Sequence, residues 1–325
     1  MLSNLRIGIT VLLCAFFVLM PLPPSANAAD DISIDVRKDA VSSTIKSAKE
    51  CKKILSFYWE IGDANGLLAS GKKGKSFDAD TSVNLASGSK WLFATYLLEK
   101  YGSLTDSQIQ MLTQRSGYRS FLDQACGFTW NVNDCMNLQK LIYGTNDLYT
   151  SENPDTFFYS GAHFQQLAIE IGLGKYTSSK LATEIKTYLN DGDMSFLIPA
   201  VGSGMRASAK TFSSVMRKMM TNEYKIGELL GSDRTCTLES LCPTSLRSPL
   251  KTDWDYSLGH WVEHETGGPD EAFSGPGLQG FYPWISADKT LYGVLSTEVI
   301  ADLNARSSAC GGKMRKAWIS GVMVQ

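Results

Sequence analysis

Asn84-Leu85-Ala86-Ser87-Gly88-Ser89-Lys90-Trp91 is where the chain changes its hydrophobic period. Upstream, residues 54–61 are rich in aromatic and β-branched side chains. Gly62-Asp63-Ala64-Asn65-Gly66 has turn composition, and the strand pattern resumes over 67–70, so this stretch reads as a β-hairpin. Downstream, Leu92, Phe93, Tyr96 and Leu97 fall on one helical face, which predicts a helix over 87–100. Residues 105–225 continue mostly helical, with apolar spacing in 164–171, 181–189 and 212–220. After Trp254 strand signals return at 258–262, 280–285 and 291–297, and a closing helix covers about 313–319. Residues 48–53 read as helical, and 29–45 as a polar, frayed start. Strands at both ends and helices between them imply an α+β fold. An antiparallel sheet is built from both chain ends (α/β part about 45–100 and 245–325), with a helical region inserted between strands (about 101–244). A site would lie in the cleft between sheet and helices.

The 325 residues are 43% apolar and 20% charged, as in a globular protein with a full core. A net charge of −2 gives no nucleic-acid footprint. The densest basic cluster, Lys72-Lys73-Gly74-Lys75, reads as a solvated loop. The first 28 residues have the layout of a secretory signal. Arg6 is the single charge, 7–20 is an apolar run too short to span a bilayer, and Ala26-Asn27-Ala28 is a small-x-small cleavage site. Leu13 before Cys14 argues against a lipid anchor. The expectation is a chain of residues 29–325, periplasmic or secreted, with no membrane span after cleavage.

The cysteines fit export. Of seven, Cys14 lies in the signal, which leaves an even number for an oxidising compartment. Cys126 and Cys135 bracket one short loop, Cys236 and Cys242 another, and Cys51 and Cys310 remain near the two ends. The expected pairs are therefore Cys126–Cys135, Cys236–Cys242 and Cys51–Cys310. There is no C-x-x-C, and the three His do not flank cysteines at zinc spacing, so no metal or other cofactor is expected.

Ser87 and Lys90 lie three residues apart where a loop turns into a helix, and residues at that spacing share a helix face. A serine hydroxyl is a weak nucleophile until a base takes its proton. A lysine can serve if its surroundings lower its pKa. The helix N-terminus adds N–H groups that favour a developing oxyanion.

Several ordered segments resemble the serine β-lactamase and penicillin-binding-protein superfamily, particularly its class C β-lactamase-like and family VIII esterase-like branch. The octapeptide 84–91 resembles that family's nucleophile helix start. Leu112-Thr113-Gln114-Arg115-Ser116-Gly117-Tyr118 resembles its L-T-x-x-S-G segment. Pro154-Asp155-Thr156-Phe157-Phe158-Tyr159-Ser160 resembles the segment carrying its second motif. Gly204-Met205-Arg206-Ala207-Ser208 resembles a later helix start. Tyr256-Ser257-Leu258-Gly259-His260-Trp261-Val262 and Gly280-Phe281-Tyr282-Pro283-Trp284-Ile285 resemble the strands on either side of its third motif. The resemblance covers about 80–300. It implies that Ser87 is the nucleophile, that Lys90 manages its proton, and that Tyr159 acts as base or shuttle.

Two departures narrow what the resemblance implies. Gly161 stands where the second motif often has Asn, so an amide that would hold a substrate is missing. Ser274-Gly275-Pro276-Gly277 stands in place of K-T-G or H-x-G, and its cation is missing; His264 or Arg206 are candidates to supply one. Pro276 has no N–H, so Gly277 or Gly275 must join the Ser87 N–H in the oxyanion hole. His163, four residues after Tyr159, is placed on the same helix face and in the cleft, while His260 reads as structural. A Ser/His/Asp triad lacks the G-x-S-x-G elbow: 201–204 reads Val-Gly-Ser-Gly. Tyr118, Trp130, Phe158, Trp261 and Tyr282 are further candidates to line the cleft. The expected function is an exported serine hydrolase forming an acyl-enzyme on Ser87 with an ester or small amide. The alternatives are a peptidoglycan DD-peptidase or β-lactamase, and a non-catalytic ligand-binding protein of the same fold. The partner is accordingly a small-molecule or peptidoglycan-derived substrate, not nucleic acid.

Overall fold

A computed structural model describes residues 32–151, 155–264, 271–299 and 304–325. The expected signal segment, its cleavage site after Ala28, Cys14 and Pro154 lie outside the described residues. Helices α1 (Ile34–Ser47) and α2 (Lys49–Lys52) lead into a hairpin of β1 (Phe57–Asp63) and β2 (Gly66–Lys73). Strand β3 (Val83–Asn84) precedes α3 (Ser89–Tyr101). The helical region holds α4 (Asp106–Leu112), α5 (Val132–Leu148), a short strand β4 (Phe157–Phe158), α6 (Ala162–Ala168) and α7 (Ser178–Tyr188). Strands β5 (Met194–Phe196) and β6 (Met205–Ala207) follow, then α8 (Ala209–Met220). The chain closes with β7 (Thr235–Cys236), β8 (Ser245–Arg247), β9 (Trp254–Tyr256), β10 (Trp261–Glu263), β11 (Ala272–Ser274), β12 (Tyr282–Ser286), β13 (Tyr292–Ser296) and α9 (Asn304–Ser320).

The main sheet runs in the order β2-β1-β13-β12-β11-β10-β9-β7, with neighbours antiparallel. Trp59 of β1 pairs with Leu295 of β13, so the two chain ends share one sheet around the inserted helices. One core lies between the sheet and the helical region and includes Trp91, Phe93, Phe164 and Phe212. A second lies between the sheet and the terminal helices, around Trp59, Tyr282, Trp284, Met314 and Trp318. Burial on both faces is why β1 reads as a continuous apolar run rather than an alternating one.

Cys51 and Cys310, Cys126 and Cys135, and Cys236 and Cys242 lie at disulfide distance, the three pairs expected. The first joins α2 to α9, elements that meet only in the folded chain.

Some sequence expectations need correction. The start is not frayed: Ser33 caps α1 by accepting from the Val36 N–H, and the helix buries Val41 and Ile45. Arg37 fastens it to α9 through the Trp318 and Ile319 carbonyls, at 2.7 and 2.9 Å. Its polar composition misleads because only a narrow stripe is buried. Lys72 and Lys73 belong to β2 rather than a loop. Residues 258–260 form a turn before β10, where Gly259 adopts φ 76°; a Cβ there would lie 2.6 Å from the Lys90 carbonyl oxygen.

Candidate active site

Ser87 lies in a 3₁₀ turn, Ala86–Gly88, that opens directly into α3. In that geometry side chains three residues apart eclipse, which brings Ser87 and Lys90 together. Lys90 Nζ is 3.3 Å from Ser87 Oγ and donates to the Gly202 carbonyl at 2.9 Å. Lys90 is only 2% exposed. The turn is pinned from below. Leu85 N–H donates to the Met205 carbonyl at 2.9 Å, and Met205 N–H donates to Ser89 Oγ at 3.1 Å. Ala86 holds φ 45°, a region unfavourable for a side chain, and its N–H is taken by Asn84 Oδ1 at 2.9 Å.

Tyr159 comes from the segment between β4 and α6. Its ring centroid is 4.9 Å from Lys90 Nζ and stacks on Trp261 at 5.5 Å. Ser160 N–H donates to Gln114 Oε1 at 2.7 Å, which ties the second segment to the end of α4. Ser87, Lys90, Tyr159 and Trp261 share a cleft of about 200 Å³. At Gly161 a Cβ would lie 2.8 Å from Asp123 Oδ1 and 2.9 Å from the Phe121 ring. Those two side chains fill the space an amide would take in the second motif.

The 274–277 segment reaches the Ala86–Gly88 turn, because a Cβ at Gly88 would lie 3.2 Å from the Gly275 carbonyl and one at Gly277 would strike the Leu85 carbonyl. Its expected roles need correction. Gly275 N–H donates to the Pro283 carbonyl at 3.1 Å, and Gly277 N–H to the Phe281 carbonyl at 2.7 Å, so both amides are spent on the chain itself. Ser274 is fully buried; Pro276 and Leu278 are the residues here that line the cleft.

The other expected cleft residues fall elsewhere. His163 is fully buried: Nε2–H donates to the Phe158 carbonyl at 2.9 Å, which leaves Nδ1 to accept from Ser116 Oγ at 2.7 Å. Burial pushes its pKa down to about 3. Tyr159 precedes α6, so the shared helix face does not exist. Tyr118 packs on Tyr149 and His163, behind the cleft wall. Tyr282 faces α9, where its hydroxyl meets Glu263 at 2.7 Å and Arg315 at 3.0 Å. Trp130 is 80% exposed, and Phe158 lies under the Arg247 guanidinium at 5.4 Å. Arg206 is committed to Glu298 at 3.0 and 3.1 Å, and His264 to Asp255 at 3.0 Å.

Besides Lys90, two cations line the cleft, Arg119 and Arg247, and the sequence pattern singles out neither. Arg119 follows the Ser116-Gly117-Tyr118 turn, where nothing in the local pattern distinguishes it. Arg247 ends β8, whose parallel pairing with β4 sets it beside Tyr159: the Tyr159 N–H donates to the Arg247 carbonyl at 3.0 Å. Among the described residues neither guanidinium has an acidic partner within ion-pair distance. Asp123 also lines the cleft, and accepts from the Ser203 hydroxyl. The short disulfides serve these walls. Cys126–Cys135 ties the 3₁₀ turn Asp123–Phe128 to α5, and Cys236–Cys242 closes the loop leading into β8.

No family model matches the chain, and no curated protein matches it in sequence. Solved structures match its shape. A D-amino acid amidase from Ochrobactrum anthropi superposes with TM-score 0.63 at 9% identity, over 87% of this chain and 98% of that one. A penicillin-binding protein homologue from Pyrococcus abyssi gives 0.64 at 12%, over 90% and 78%. EstCE1, a hydrolase with promiscuous acyltransferase activity, gives 0.62 at 12%, over 90% and 99%. This chain has the fold of the β-lactamase and penicillin-binding-protein-like structures.

Proposed function

We propose that this protein is an exported serine hydrolase that forms an acyl-enzyme on Ser87 and acts on an ester or small amide. The carrying observation is the 3.3 Å approach of buried Lys90 Nζ to Ser87 Oγ at the floor of a cleft. Ser87 Oγ attacks the substrate carbonyl carbon, and its proton passes to Lys90. The bond to the leaving group breaks, and that proton is delivered to the leaving group by way of the Tyr159 hydroxyl. Water then attacks the acyl carbon, gives its proton back along the same route, and frees Ser87. The Ser87 N–H is the backbone donor assigned to the oxyanion. The catalytic unit is residues 29–325, released from a signal peptide cleaved after Ala28, in the periplasm or outside the cell.

A fluorophosphonate probe tests this: wild type is labelled and Ser87→Ala is not. Equal labelling of both overturns the assignment.

A second reading, a peptidoglycan DD-peptidase or β-lactamase, is favoured by Arg119 and Arg247, which bring to the cleft the positive charge that the 274–277 segment lacks. Stable labelling by a fluorescent penicillin supports it. Absence of both labelling and nitrocefin turnover eliminates it.

A further inference from the structure

Away from the cleft, lysines from three separate elements converge on one groove. Lys38 and Lys46 come from α1, Lys52 from α2, and Lys72 and Lys73 from β2, around a cavity of about 420 Å³. No Asp or Glu lines it, although the whole chain carries a net charge of −2. Ser42 and Ser70 add hydroxyl donors to its walls, and Trp59 lies at its base.

Local roles account for part of this. Lys73 Nζ donates to the Cys51 and Lys52 carbonyls at 2.8 and 3.0 Å, closing the end of α2. β2 is an edge strand, and lysines on an edge discourage pairing with another sheet. Neither role explains Lys38, Lys46 and Lys52, which sit on helices. Lys72 has only a distant, exposed pair with Asp78 at 3.9 Å. Among the described residues Lys38, Lys46 and Lys52 have no acidic partner within ion-pair distance. Gathering like charges in a concavity is unfavourable in the free protein, and an anion bound there relieves it.

We infer that this groove binds a linear polyanion with phosphates spaced along its length, at a site separate from the hydrolytic cleft. Lysine ammonium groups are compact point charges suited to phosphate oxygens. Lys38 and Lys46 are eight residues apart on α1, about 12 Å along its axis, which spreads the positive charge along the groove. A slot between a helix and a strand admits a chain, whereas a bilayer surface is too broad to enter it.

The test is fluorescence anisotropy of the secreted protein with labelled inorganic polyphosphate across a salt series. Wild type should bind, with affinity falling as salt rises. The triple variant Lys38→Gln, Lys46→Gln, Lys72→Gln removes exposed charges only. It should bind at least about tenfold more weakly, with a log–log salt slope shallower by roughly 2, and keep its ester hydrolysis rate. Equal binding by the two proteins, or no binding by wild type at low salt, overturns the inference. Displacement by orthophosphate at equal total phosphate overturns the linear polymer. Tighter binding to phosphatidylglycerol vesicles than to polyphosphate makes the occupant a membrane instead.

Discussion

Lys90 Nζ lies 3.3 Å from Ser87 Oγ and also donates to the Gly202 carbonyl at 2.9 Å. The carbonyl can only accept, so it orients the amine without competing for the serine proton. Lys90 is 2% exposed, while Ser87 is partly exposed where it lines the cleft. Lys90→Met keeps most of the buried volume and removes the proposed base. Single-turnover acylation should slow by about 10²–10⁴-fold. A rate within a factor of a few of wild type removes Lys90 from the mechanism.

Tyr159→Phe separates the hydroxyl from the ring. The ring keeps its stack on Trp261 at 5.5 Å, so unfolding free energy should change by less than about 1 kcal/mol. Turnover should nevertheless fall by roughly 10²-fold or more. Parallel losses of stability and activity would point to a packing role instead.

Arg119 and Arg247 should sort substrates by charge. A charge-assisted hydrogen bond is worth about 1.5–3 kcal/mol, so Arg119→Ala or Arg247→Ala should lower kcat/KM for a carboxylate-bearing ester about tenfold or more. A neutral ester of the same size should be nearly unaffected. Equal losses on the two esters would show that the arginines shape the wall rather than read charge.

Two buried histidines should make the fold acid-sensitive. Burial pushes His163 down to about 3 and His260 to about 4, against an unfolded value near 6.5. His260 Nδ1–H donates to the Leu258 carbonyl at 3.0 Å, and Nε2 accepts from the Gly231 N–H at 3.1 Å, so a second ring proton has no acceptor. Both folded pKa values are depressed. Their stabilisation is full above about pH 6.5 and is lost as pH falls toward the folded values. Each histidine should cost about 1.4 kcal/mol per pH unit in that window. Urea unfolding at a series of pH values checks this, and stability unchanged between neutral pH and the folded pKa range would refute it.

The Cys51–Cys310 pair closes a loop of 259 residues and joins the start of the sheet domain to α9. Replacing both cysteines by serine should cost about 2–5 kcal/mol, measured by denaturant unfolding. A loss below about 1 kcal/mol would mean that the packing of α1 against α9 already supplies the constraint.

Much of the fold was legible because its signals are local. The 62–66 turn marks the β1–β2 hairpin, and helical periodicity marks α3, α7 and α8. α1 also carried legible signals, with Ser33 as cap, Asp35 in the first turn and Lys46 in the last, but its polar composition outweighed them. Its burial depends on Arg37 reaching Trp318, a contact between opposite ends of the chain.

The sequence alone determined the meeting of Ser87 and Lys90, because their spacing and the loop-to-helix junction are properties of four consecutive residues. It also determined which cysteines could pair. Only the tertiary structure decided which strand residues reach the cleft: by register Tyr282 and Trp261 lie on one face of the sheet, yet Tyr282 meets Arg315 of α9 while Trp261 stacks on Tyr159. It alone decided that the Gly275 and Gly277 amides are spent on carbonyls of the 281–283 segment, and that the cleft cations are Arg119 and Arg247. Those positions are set by pairings between segments far apart in the chain, which no local pattern records.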